Sequence, residues 1–212
     1  MTKKKLFLAA GLIILLPLLA VFLWCLAPAP KVSCPNAFTD LTGALPVFPG
    51  AQGFGTDTPA GRHGVVVRVT TLDDSGPGSL REALETPGPR VVVFEVGGVI
   101  HLRDNLRLSQ PFATVAGETA PAPGVILSGA GLNIVTHNVL VRHLAIRVGD
   151  APEGPAPDAR DGISVYPENG GGHHVVVDHC SVAWAVDEGM SHWGMGVHDT
   201  ITHFRVMYGE KD

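Results

Sequence analysis

Three stretches of the chain share one pattern built around a histidine: Val139-Leu-Val-Arg-His143-Leu-Ala-Ile-Arg-Val148, Val175-Val-Val-Asp-His179-Cys-Ser-Val-Ala-Trp184 and Asp199-Thr-Ile-Thr-His203-Phe-Arg-Val-Met-Tyr208. Before the histidine, apolar residues alternate as Val139/Val141 and Val175/Val177; in the third stretch only Ile201 keeps that phase. After it they alternate one place out of step: Leu144/Ile146/Val148, Cys180/Val182/Trp184 and Phe204/Val206/Tyr208. Successive side chains of a strand face opposite sides, so a slip of one residue turns the apolar set toward solvent. A bend at the histidine, joining strands of two different sheets, removes the conflict. The histidines lie 36 and 24 residues apart, within the roughly 20–45-residue range of stacked repeats. Short strands, sharp bends and a period near 24 predict an all-β chain, a parallel β-helix of about five coils over residues 90–208.

The runs VVVFEV and VILSG carry apolar residues almost continuously, as strands covered on both faces do. A β-sandwich or a propeller would need hairpins. No Asn-Gly or Asp-Gly pair joins neighbouring strand runs, and Asp161-Gly162 opens a strand instead. The soluble part has one convincing helix, in DDSGPGSLREALE. Ser79 is its expected N-cap, Glu82 completes a capping box, and Leu80, Ala83 and Leu84 form one apolar stripe. A single amphipathic helix ahead of the strands suits a cap over the open end of the core.

The N-terminus reads separately. Lys3, Lys4 and Lys5 precede an uncharged apolar run, residues 6–26, long enough as a helix to span a bilayer core of about 30 Å. Residues 1–26 are therefore expected to be a signal peptide or membrane anchor. The run is longer than most signals, and Pro30 follows the cleavage-like Ala27-Pro28-Ala29, so the anchor is the preferred reading. The lysines stay inside and the rest is exported: secreted, periplasmic or anchored facing outside. Residues 27–45 are a Pro- and Ala-rich linker, and residues 46–212 are expected to form the β-helix domain. With a net charge of −5 and no basic patch, nothing points to nucleic acid. A monomer is expected. Cys34 and Cys180 have no spacing that supports a disulfide, and Cys180 reads as a small buried hydrophobe.

Chemistry concentrates in DARDGISVYPENGGGHHVVVDHCSVAWAVDE. Asp161 and Asp187 are 26 residues apart, about one coil. At matching places on successive coils their backbones would lie about 4.8 Å apart. Carboxylates that close repel unless protonated or bridged by a cation, and oxygen donors favour a hard one, Ca²⁺ first. Asp158 and Glu188 are nearby candidates for the same metal site. The plainer reading is that these acids start turns. Asp187 and Glu188, as neighbours in a strand, are expected to point to opposite faces. Six histidines between His173 and His203 lack any HExxH or paired-Cys spacing. The repeat gives His143, His179 and His203 a stacking role at the bends. A mononuclear metal on His173, His174 and Asp178 stands as an alternative. Ser181 beside Asp178-His179 is a neighbour in sequence only.

FPGAQGFGTDTPAGRHG, VTTLDDSGPGSLREALE, VVVFEVGGVIHL, ATVAGETAPAPGVIL, NVLVRHLAIRVGD and VVVDHCSVAWAVDE together resemble the bacterial pectate lyases, a family of exported polysaccharide lyases, in order from about Pro46 to Glu210. The resemblance implies a right-handed parallel β-helix that binds Ca²⁺ and cleaves pectate, an acidic polysaccharide, by β-elimination. It implies calcium-binding roles for Asp161 and Asp187. Ala183 falls where many members have a further calcium-binding Glu, and Asp178-His179 matches a motif of structural role. The arginine that serves the family as base is expected beyond the TITHFRVMYGE stretch, so no catalytic residue is assigned; by this resemblance the 46–212 domain reads as incomplete at its C-terminal end, the N-terminal portion of such an enzyme, expected to be inactive as this fragment. A carbohydrate-binding β-helix without chemistry and a β-helix glycoside hydrolase are the rival functions.

Overall fold

The computed structural model describes residues 45–166 and 173–193, with the backbone of residues 206 and 207. All of them lie in one unit of the chain, Ala44–Asp212. The apolar run 6–26, the linker and Cys34 fall outside the described residues. Among the described residues no helix is long and apolar enough to cross a membrane.

Thirteen strands precede a short last one: β1 (Val65–Val69), β2 (Arg90–Phe94), β3 (Gly98–His101), β4 (Leu106–Leu108), β5 (Ala113–Ala116), β6 (Val125–Ser128), β7 (Leu132–Ile134), β8 (Val139–Arg142), β9 (Leu144–Arg147), β10 (Ile163–Val165), β11 (Val175–Asp178), β12 (Ser181–Ala183), β13 (Met190–His192) and β14 (Val206–Met207). They form three sheets: A, in the order β1-β2-β5-β8-β11-β14; B, β3-β6-β9-β12; and C, β4-β7-β10-β13. Every pairing is parallel, and each turn of the chain gives one strand to each sheet. That is a parallel β-helix of four full coils, with β1 before them and β14 opening a fifth.

The phase slip resolves as expected. Val139, Val141, Leu144, Ile146 and Val148 all enter one core, as do Val175, Val177, Cys180 and Val182. The bend is a left-handed residue: His143 has φ +53° and His179 φ +52°. Their rings stack with centroids 4.9 Å apart and planes 19° apart. Such φ values are uncommon outside glycine. Here adjacent-coil hydrogen bonds, such as His143 N–H to the Asp178 carbonyl at 3.2 Å, hold them.

Two expectations fail. Val206 pairs with Val177, before the bend, where the repeat alignment sets it beside Val182. The offset is 29 residues, not 24; His203 lies outside the described residues. And Trp184, expected to continue the inward phase of Cys180 and Val182, is 65% exposed, since its φ of +59° turns the chain at that residue.

The outer face of sheet A is covered too. Val47, Phe48 and Ala60 of the glycine-punctuated stretch pack on Leu140 and Val176, and the Arg142 guanidinium sits 4.2 Å from the Phe48 ring centroid. Helix α1 (Leu80–Glu85) is capped as expected, with Ser79 Oγ accepting the Glu82 N–H at 3.2 Å. The reciprocal bond goes from the Gly78 N–H to Glu82 Oε2 at 2.6 Å. Leu80, Ala83 and Leu84 join the core, and α1 packs on β1 and β4. Sheets B and C begin only at β3 and β4, so α1 closes the end they leave open.

Candidate metal-binding site

The outer face of sheet C carries a polar ladder. Register places Arg107, Asn133, Ser164 and Ser191 side by side on four successive coils. One residue ahead of β7, β10 and β13 stands a glycine: Gly131, Gly162 and Gly189. A Cβ on Gly162 would fall 2.1 Å from Val182 Cγ1 and 2.4 Å from the Gly189 carbonyl oxygen. Only glycine lets the backbone of these coils approach so closely. The residues just before Gly162 and Gly189 are Asp161 and Glu188.

Ile163 pairs with Met190, so Asp161 matches Glu188 on the next coil; the sequence reading matches it with Asp187. Asp187 lies one residue earlier. The chain bends at Val186–Asp187 rather than running as a strand, so Asp187 and Glu188 do not diverge to opposite faces. One oxygen from each of Asp161, Asp187 and Glu188 lies within 4.8 Å of the other two. Asp158 does not join them. It sits exposed on a 3-10 turn, Pro157–Ala159.

Protein donors hold the Asp161 carboxylate in place. Its Oδ1 accepts the Glu188 N–H at 3.2 Å, and its Oδ2 accepts the Ser191 hydroxyl at 3.1 Å and that of Ser164. Glu188 stands in a different setting. Desolvation, then Asp161 and Asp187, push its carboxyl above the usual range. Three converging oxygen donors suit a hard cation.

The preceding residue fixes the frame. Buried Arg160 donates to the carbonyls of Gly149 (3.2 Å), Ala151 (2.7 Å) and Pro155 (2.7 Å), while its own carbonyl accepts the Val186 N–H at 3.1 Å. It ties the loop between β9 and β10 to the segment that presents Asp187. Sequence reading missed Arg160, Ser164 and Ser191. The period of sheet C, which places both serines at one register position, was the available signal.

The histidine alternative does not assemble. His174 precedes β11 and Asp178 ends it, four residues along an extended strand, or about 13 Å. Asp178 instead bonds Arg142 Nε and His179 Nδ1, each at 2.8 Å. His173 Nδ1 lies 2.7 Å from His174 Nδ1, and His173 stacks on His137 at 4.6 Å. Burial, then neighbouring histidines, hold His137 and His173 below the ordinary range. Ser181 is engaged by Arg147, 2.7 Å from its Nη2. Cys180 is free and buried, its thiol pushed up to about 11 by burial.

No protein-family profile matches the chain. The sequence is 40% identical over 161 residues to "Probable pectate lyase C" of Aspergillus oryzae, covering 76% of this chain and 36% of that one. It is 36% identical over 182 residues to a protein of the same description from Aspergillus fumigatus, covering 85% and 41%. Identity to "Probable pectate lyase 5" of Arabidopsis thaliana is 33% over 156 residues, covering 65% and 36%. The chain thus spans little more than a third of the length of these relatives. Among solved structures, Jun a 1, the major allergen from cedar pollen, superposes with a TM-score of 0.54 at 23% identity over 67% of this chain and 44% of that one. That likeness bears on the fold.

Proposed function

We propose, for a chain homologous to the pectate lyases, that it forms the calcium-binding part of an exported lyase acting on pectate by β-elimination. The observation that carries this is the convergence of Asp161, Asp187 and Glu188 within 4.8 Å at the rim of a polar sheet face. The donor set fits calcium, since all three are carboxyl oxygens, the hard donors that calcium prefers. Calcium, when bound, supplies a Lewis acid that draws in a uronate carboxylate and stabilises negative charge as the C5 proton leaves and the C4 oxygen departs. The chain's own residues prepare for it. Ser164, Ser191 and the Glu188 N–H hold the Asp161 carboxylate in one orientation. Asp187 is exposed, so a cation held there stays open to solvent. Arg160 keeps both contributing segments in register. Export, with residues 6–26 as signal or anchor, and a monomeric state belong to the same reading.

The test is product analysis on polygalacturonate, with calcium and with a chelator. An unsaturated uronide that absorbs in the ultraviolet, formed with calcium and absent with chelator or in Asp161→Asn, supports the proposal. New reducing ends without unsaturation would show a hydrolase. Polymer binding without either product, lost with chelator and in Asp161→Asn, would fit a calcium-binding part that lacks its base, and polymer binding indifferent to calcium would show a binding module and overturn the proposal.

A further inference from the structure

Trp184 breaks two rules at once. It follows β12 directly, in the inward phase of Cys180 and Val182, yet it is 65% exposed. Its φ is +59°, a region that bulky residues avoid and that costs on the order of 1–3 kcal/mol where it persists. At the matching corner two coils earlier, directly after β6, the turn is made by Gly129 at φ +92°. Glycine adopts that conformation without a steric penalty. On the intervening coil Val148 follows β9, stays buried, and leaves the turn to Gly149 at φ +69°. The fourth coil thus places a tryptophan, in a left-handed conformation, at the position the second coil gives to Gly129. The Trp184 carbonyl accepts the Gly149 N–H at 2.9 Å, which fixes the backbone while the indole faces solvent.

The location gives the strain a purpose. Trp184 lies three residues before Asp187 on one short loop, within roughly 11 Å of chain. Half-exposed Val186 stands between them, and its N–H is held by the Arg160 carbonyl next to Asp161. An exposed apolar face therefore adjoins a carboxylate cluster. A sugar ring has that same division, with axial C–H bonds on its flat face and hydroxyl and carboxylate groups at its edge. We infer that Trp184 is a stacking platform for a sugar residue of the polymer, next to the one whose carboxylate is drawn to the Asp161/Asp187/Glu188 site. This deepens the proposed lyase reading and rests on it. Trp184 is a binding and specificity residue; it takes no part in proton transfer.

The test compares wild type with Trp184→Gly and Trp184→Phe. Tetragalacturonate is titrated by calorimetry in calcium, calcium alone is titrated separately, and thermal unfolding is followed for each protein. Trp184→Gly relieves the strained φ, so its Tm should equal or exceed that of wild type and calcium binding should be unchanged. Its tetragalacturonate Kd should rise about tenfold or more, the scale of a tryptophan anchor, while Trp184→Phe recovers most of the loss. Equal tetragalacturonate affinity in wild type and Trp184→Gly overturns the inference and leaves the calcium site standing. Wild type that binds calcium but no tetragalacturonate overturns the substrate reading and the platform together.

Discussion

Asp161 and Glu188 hold matching positions on successive coils, and the Glu188 N–H donates to Asp161 Oδ1 at 3.2 Å. The coil repeat itself thus brings two carboxyl groups together. The same register that stacks the strands forces these acidic side chains into proximity.

Calcium should therefore stabilise the fold in a pH-dependent way. The Glu188 carboxyl is held up by desolvation, Asp161 and Asp187. A raised carboxyl favours folding most below its unfolded value, and that contribution is lost as pH rises through the folded value. Above that window the metal-free protein carries the repulsion, and calcium well above its Kd should raise Tm by roughly 5 °C. Below it, protons compete and the calcium effect should fade. Thermal melts with calcium and with chelator across pH 4–8 check this. A calcium effect that is flat with pH, or equally large in Asp161→Asn, would sink it.

Gly162→Ala should damage both stability and the site. The added methyl meets Val182 and the Gly189 carbonyl well inside contact distance, and no side-chain rotation relieves a Cβ clash. A cost of about 2–3 kcal/mol is expected, with calcium affinity lowered because Asp161 and Glu188 flank the ladder. Gly124→Ala is a useful control. Its φ of +91° is strained for alanine, yet no atom lies within 4 Å of a Cβ there, so it should lose stability without losing calcium affinity. Equal calcium binding in Gly162→Ala and wild type would refute the coupling.

The β-helix was legible because its core is periodic. The phase slip at His143 and His179 reports a bend that only a change of sheet can absorb, and the buried pattern follows it as far as Val148 and Val182. Asp161 and Asp187 were legible by spacing. The partner of Asp161 was not, because the register of three-residue strands is set by the glycine ladder, which shifts the pairing from 26 to 27 residues. Val206 was misplaced for a similar reason: Ile201 and Val206 are equally β-branched, and alternation alone cannot choose between their registers. Trp184 looked inward by phase, and a left-handed φ is not written in the hydrophobic pattern.

The Asp178 carboxylate should make acid unfolding sharper. It is buried, and desolvation pushes it up, but hydrogen bonds from His179 and Arg142 outweigh this and hold it below the usual range. A depressed carboxyl contributes stability above its unfolded value and loses it as pH falls through the folded value. Arg142 also reaches Glu118 at 3.0 Å, so the pairing ties three coils. Asp178→Ala should cost about 2–3 kcal/mol at neutral pH, and its stability should depend less on pH below 4 than that of wild type. Urea titrations at pH 7 and pH 3.5 measure both. An undiminished pH dependence in the variant would show that Asp178 is not the titrating group.

Arg90 is the interaction on which closure of the first coil should depend. Its side chain is fully buried, and burial lowers its pKa without removing its charge. The guanidinium donates to the carbonyls of Leu84 (2.7 Å), Gly88 (3.1 Å), Pro111 (3.2 Å) and Gln110 (3.2 Å). Leu84 belongs to α1, and residues 110–111 lead into β5, so one fork joins the capping helix to the coil above it. Methionine fits the volume but leaves those carbonyls without donors, at a cost of about 3–5 kcal/mol. Lysine keeps the charge but has no planar fork to span the carbonyls, so Arg90→Lys should recover only part. Hydrogen exchange should show the loss first in α1 and β1, with the amides of β8 and β9 protected until global unfolding. An Arg90→Met protein within about 1 kcal/mol of wild type, with α1 still protected, would mean that apolar packing of Leu80, Ala83 and Leu84 closes the end unaided.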